Sequence, residues 1–186
     1  MSSNPYSKYR GQHALFSPSQ SYWLRYDDDK IRDYIRSLRA AQMGTRLHEL
    51  AAQHIDLRVP MPRNKKTLNA YINDCIGMRM SPEEVVFYSP NCFGTADALR
   101  FDEKKARLYI NDLKTGKTPP KFDQLWIYAA LFCLQNGIRP GDLEVITKLY
   151  FQDDVLEDNP TTDDLVRISD KIRAADRIAQ EEDETY

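Results

Sequence analysis

Three consecutive segments decide the fold: FGTADALRF (93–101), DEKKA (102–106) and RLYINDLKT (107–115). The outer two are rich in β-branched and aromatic residues, and the charged pentapeptide between them predicts a hairpin. Strand alternation puts Asp97, Leu99 and Phe101 on one face of the first strand, and Leu108, Ile110, Asp112 and Lys114 on one face of the second. A turn through Glu103 to Ala106 sets Phe101 against Leu108, Leu99 against Ile110, Asp97 against Asp112 and Thr95 against Lys114.

That register ends an apolar ladder in two opposed aspartates, with β-carbons roughly 4.5–5.5 Å apart. Like charges on a half-buried face persist where one is protonated or where a cation lies between them. Mg2+ or Mn2+, as one or two ions, suits the position: Asp97, Asp112 and the Leu113 carbonyl supply oxygen donors, and a phosphate could complete the shell. Lys114 beside them could orient or deprotonate a water and offset charge growing on a phosphorane-like transition state. The chemistry expected is phosphodiester hydrolysis. An acid-x-Lys pattern also occurs at Asp28/Lys30, Asp102/Lys104 and Glu103/Lys105, where solvated surface explains it. The strand context, the matching phase of Asp97 and the helix that follows set Asp112-Leu113-Lys114 apart.

Outward from the hairpin, VVFY (85–88) and LEVITKLYF (143–151) read as strands, and Asp123 to Gln135 as a helix closed by Asn136-Gly137. Thr162 to Gln180 reads as a last helix capped by Thr161 or Thr162. Upstream, Ser17-Pro18-Ser19-Gln20 has the form of a capping box that starts a helix through Tyr26. A helical stripe continues from Lys30 to Arg58, with Gly44 as a break between two helices, and residues 60–82 read as an irregular or short helical insertion. The fold class is therefore α/β: a small mixed sheet flanked by helices, with extra N-terminal helices. One domain is expected over residues 1–180, comprising N-terminal helices in 1–58, a catalytic sheet in 85–151 with helix 123–136, and a C-terminal helix in 162–180. Residues 181–186 form an acidic tail.

With 186 residues, 41% of them hydrophobic, the chain can bury one sizeable core. No apolar run is long enough to span a bilayer and the N-terminus lacks a secretion signal, so a cytoplasmic protein without membrane contact is expected. Cys75, Cys92 and Cys133 form neither a disulfide framework nor a metal clip, and each reads as a reduced, half-buried thiol. The net charge of −2 conceals an uneven distribution. Residues 153–186 carry 12 acidic and 4 basic side chains, against 22 basic and 16 acidic in residues 1–152. A basic body permits a polyanionic partner, and Lys117 and Lys121, beyond the aspartates, are candidate phosphate contacts, as are Lys65, Lys66, Lys104 and Lys105.

FGTADAL, YINDLKTGK and QLWIYAALF together resemble the PD-(D/E)xK nuclease superfamily in its RecB-like exonuclease branch, over about 90 residues of this chain. In that branch a Gly-x-x-x-His helix precedes a hairpin-strand Asp, an Asp-x-Lys strand and a Gln-x-x-x-Tyr helix. Here Gly44 to His48, Asp97, Asp112 to Lys114, and Gln124 to Tyr128 follow that order, and SPSQSYWL also looks like the branch. The resemblance implies a restriction-endonuclease-like core and a stand-alone, phage-type deoxyribonuclease, exonuclease-like, working in a host cytoplasm on DNA recombination, repair or processing. It further implies His48 as a metal ligand, and Gln124 and Tyr128 as residues that position substrate or Lys114. Without it, His48 reads as a structural histidine, and Gln124 and Tyr128 as part of an amphipathic core helix. The cysteines of the iron–sulfur members have no counterpart, so no cluster is expected. No helicase motif occurs, so unwinding requires a separate helicase, recombinase or single-strand-binding partner.

HELAAQH (48–54) is not a zincin motif, because its histidines lie six residues and about 240° apart on a helix. LKTGKT (113–118) lacks the first glycine of a phosphate-binding loop. The rival to the nuclease is a non-catalytic DNA- or partner-binding module with the same fold.

Overall fold

The computed structural model describes residues 5–183. They fall into two compact units, Met1–Gly44 and Thr45–Tyr186. The first holds two short 3-10 helices, Ser7–Tyr9 and Ser21–Arg25, and the start of α1 (Asp28–Asp56). Its aromatic cluster is centred on Tyr34, whose ring meets those of Phe16, Tyr22 and Tyr26 at 5.9–6.2 Å. The expected capping box does not form. Ser17 Oγ pairs with Ser19 Oγ at 2.8 Å, and Gln20 caps Ser21–Arg25 without a side-chain hydrogen bond. The helical start falls ten residues later, where Asp27 Oδ1 accepts the Lys30 N–H at 2.8 Å and Asp28 and Asp29 occupy the first turn. Gly44 does not break the helix: a single internal glycine costs only about 1 kcal/mol, which the helix formers on both sides offset.

The second unit is α/β, with a five-stranded mixed sheet in the order β1 (Ser81–Ser89), β2 (Cys92–Asp102), β3 (Arg107–Lys114), β4 (Glu144–Phe151), β5 (Asp154–Glu157). All neighbours are antiparallel except β3 and β4, which α3 (Asp123–Asn136) connects as a crossover. The β2–β3 hairpin has the expected register, Phe101 with Leu108 and Leu99 with Ile110, around a turn in which Ala106 takes φ 46°. Gly137, at φ 64°, closes α3 as read. The irregular segment before β1 contains α2 (Thr67–Gly77), and β1 begins four residues before VVFY.

Period-two alternation divides β3 between two cores. Leu108 and Ile110 join Leu99, Leu125, Ala129 and Leu149 beneath α3, where α4 (Thr162–Asp183) also packs. Leu113 and Ala98 face the other way, onto Ile55 of α1, Ile72 and Cys75 of α2, and Tyr150. Each fully buried leucine or isoleucine contributes about 1.5–3 kcal/mol, so the sheet is clamped from both sides. Cys75 and Cys133 are fully buried rather than half-buried, because each lies in one of these cores, and only Cys92 is half-buried. Thr161 caps α4 reciprocally with Asp164: its hydroxyl accepts the Asp164 N–H at 3.2 Å, and Asp164 Oδ2 accepts the Thr161 N–H at 3.1 Å. No described helix is long and apolar enough to cross a membrane. The tail residues 184–186 lie outside the described residues.

Candidate functional site

β2 and β3 part company at the two aspartates. Their ladder ends at Ala98 with Asn111, one pair short of the expected Asp97–Asp112 opposition. The Asp97 carboxylate explains this: Oδ2 accepts the Leu113 N–H at 3.0 Å, a bond that a continued ladder would give to a β2 carbonyl. Beyond the fork β2 pairs only with β1, and Asp112 to Lys114 pair only with β4. Below it, Asn111 is buried, with Nδ2 3.4 Å from Tyr150 Oη, and Tyr150 donates to Asp74 Oδ2 at 2.8 Å. This bonding fixes β3 one residue before Asp112.

Each carboxylate meets a basic group. His48 Nδ1 on α1 lies 3.1 Å from Asp97 Oδ2, and Lys114 Nζ lies 3.1 Å from Asp112 Oδ1 and 2.9 Å from Oδ2. Only the Oδ1 approach has hydrogen-bond geometry, and the fully buried Oδ2 is held by the charge of the same ammonium. The Asp112 side chain is 3% exposed. Burial pushes its carboxyl up to about 6; the charge of Asp97 adds to the rise and Lys114 opposes it. His48 is also raised, chiefly by its bond to Asp97, with burial opposing.

The lysine is held from the other side. Lys114 Nζ donates to Gln124 Oε1 at 2.8 Å, and Gln124 Nε2 donates to Tyr128 Oη at 2.9 Å. Gln124 and Tyr128 stand one turn apart on α3, so both reach back to the strand end. Gly94 on β2 makes room for this arrangement: a Cβ there would lie 2.8 Å from Tyr128 Cε1. The sequence reading gave Gly94 no role, although an isolated glycine inside a strand signals close approach.

Two open recesses flank the fork. One, about 460 Å³, is lined by Thr45, His48, Glu49, Ala52, Gln53 and Glu83, and the other, about 220 Å³, includes Leu47, Thr67, Lys114 and Gln152. Glu83 was not singled out from the sequence; its carboxyl is raised by desolvation and by the charge of Asp97. Lys117 and Lys121 are exposed on the segment after β3. Lys65 and Lys66 precede Thr67 at the second recess. Lys104 and Lys105 lie at the hairpin tip, roughly 17 Å along β3 from Asp112, and so are too distant to join this site. His54 turns away, with Nδ1 2.8 Å from the Val59 carbonyl at the end of α1.

Among the described residues, no three His, Cys, Asp or Glu side chains are gathered closely enough to hold a metal as they stand. The donors nevertheless suit a hard divalent cation. Both Asp112 oxygens face only the Lys114 ammonium, and the two bonds to Asp97 both fall on Oδ2, leaving Oδ1 for another partner. No family model matches the chain, and no curated protein or solved structure matches it.

Two outcomes follow. Because the fold raises the Asp112 carboxyl, its cost is absent below the unfolded value near 3.9, grows as pH rises to about 6, and stays constant above. In chelator, Asp112→Asn is therefore more stable than wild type at pH 8 by on the order of 1–3 kcal/mol, and the gain vanishes near pH 4 in urea titrations. Gly94→Ala costs about 1–3 kcal/mol by overpacking against Tyr128, and a double-mutant cycle with Tyr128→Ala recovers most of that loss.

Proposed function

We propose that this chain is a metal-dependent nuclease that hydrolyses DNA phosphodiester bonds, with a restriction-endonuclease-like core of the RecB-like PD-(D/E)xK kind. The observation that carries the reading is Asp112: a buried carboxylate paired with one lysine, which Gln124 and Tyr128 hold from the other side, at the point where its strand leaves that of Asp97. Burying such a group costs stability, and a fold that retains and orients it has a use for its charge.

Asp97, Asp112 and the Leu113 carbonyl, with His48, are the groups that would hold Mg2+ or Mn2+. When bound, the cation polarises a phosphate and lowers the pKa of water. The chain's own groups do the rest. Asp97 sets the splay of the strands by taking the Leu113 N–H, which leaves the Leu113 carbonyl at the fork. Lys114, facing Asp112 and Gln124, supplies positive charge where negative charge grows on the phosphate, and Gln124 and Tyr128 limit its rotamers. His48 must give up the proton that Asp97 favours before its ring can ligate, so metal affinity rises with pH. The two recesses beside the fork offer places for the nucleotides that flank the scissile phosphate, with Lys117 and Lys121 as backbone contacts. Action on DNA ends, and partnership with a helicase, recombinase or single-strand-binding protein, belong to the same reading.

The test is cleavage of end-labelled linear and circular DNA, single- and double-stranded, with Mg2+, Mn2+ or chelator. Wild type is expected to cut only with metal, and Lys114→Ala to cut about 10²–10³-fold more slowly. No cutting by wild type under any condition would favour the binding module.

A further inference from the structure

α4 buries one stripe and leaves a second unpartnered. Leu165, Ser169, Ile172 and Asp176 recur at helical spacing and are buried against the body of the fold. Beside them Arg167, Lys171, Ala175, Ile178 and Glu182 recur at the same spacing, share another face of the helix, and are all exposed. Ile178 is 52% exposed, a large aliphatic side chain left in water. The Lys171 ammonium and the Glu182 carboxylate make no hydrogen bond or ion pair among the described residues. Arg167 has one long pair, 3.4 Å from Asp164.

Next to this face, between α3 and α4, lies a recess of about 310 Å³. Its wall is apolar at Ile127, Ile168, Ile172 and Ala175, and it carries the charges of Arg167, Lys171 and Asp123. Ile127 is itself 42% exposed, so the recess has room for an aliphatic side chain from outside. Read along α4, the face runs from two cations through Ala175 and Ile178 to a carboxylate, which makes it its own complement. Set antiparallel against a second copy, Ala175 meets Ile178, and the same register brings Lys171 to Glu182. Each contact then occurs twice about a two-fold axis. Parallel pairing would oppose lysine to lysine and glutamate to glutamate, and a foreign acidic segment would meet Glu182 with like charge.

We propose that two copies of this chain associate through this face of α4, antiparallel, with Ile178 of each seated against Ala175 and the recess of the other, and Lys171 facing Glu182. The proposal does not depend on the reading of the fork. The test is sedimentation equilibrium of the full chain over a wide concentration range at low and high salt, with thermal melting to check that each variant folds. Wild type is expected to dimerise reversibly, and less tightly as salt rises. Lys171→Glu and Glu182→Lys each oppose like charges twice, and each should raise the dimer dissociation constant about tenfold. An equimolar mixture of the two variants restores opposite charges at both positions and should recover the dimer, as should the double variant. Ile178→Asp should remove association while melting as wild type does. A wild type that stays monomeric at every concentration overturns the proposal and leaves the face to a foreign partner. A dimer that the single variants leave unchanged, or a mixture of them that recovers nothing, overturns it equally.

Discussion

The hydrogen bond from the Leu113 N–H to Asp97 Oδ2 is the constraint on which the rest of the site depends. In a continuous sheet that N–H belongs to the ladder, and its capture by a side chain lets β2 and β3 diverge while leaving no buried donor unpaired. Divergence opens the sheet where Asp112 and Lys114 end their strand, and parallel pairing with β4 keeps that strand straight. His48 meets Asp97 from α1, and Gln124 and Tyr128 reach Lys114 from α3. Four elements thus supply side chains to one place because two strands separate there.

The energetics favour a site over a stabilising device. A carboxylate as buried as Asp112 loses hydration that one ammonium, facing both of its oxygens, only partly returns. Around it the packing is dense: Leu108 and Ile110 below, Leu113 on the opposite face, and Asn111 bonded within a core containing Tyr71, Cys75 and Tyr150. Cys75, pushed to about 12 by burial, is an inert part of that core. The rigidity beneath the fork holds the charged groups in place at the expense of stability, the usual exchange at functional sites.

Features carried by short-range pattern were legible in the residues. Alternation and apolar pairing fixed Leu99 against Ile110, and Asn136-Gly137 closed α3 where expected. His48, Asp97, Asp112, Lys114, Gln124 and Tyr128 come together as the motif order implied. Features decided by competition between local options were not. Ser17 had two partners within reach and chose Ser19 over a helix cap, while Asp27, less conspicuous, became the cap. The strand β5 was missed because its four residues are all exposed and its hairpin turns through Gln152 and Asp153, a pair without glycine. The opposition of Asp97 and Asp112 was right in phase but wrong in pairing, since a period-two pattern cannot show a side chain replacing a backbone acceptor.

The most direct measurement is anomalous scattering from crystals soaked in manganese. The account predicts a manganese peak at the fork between Asp97 and Asp112, with Lys114 drawn away from Asp112 Oδ2. No peak there at saturating manganese, with Lys114 and His48 still bonded to both carboxylates, would contradict it.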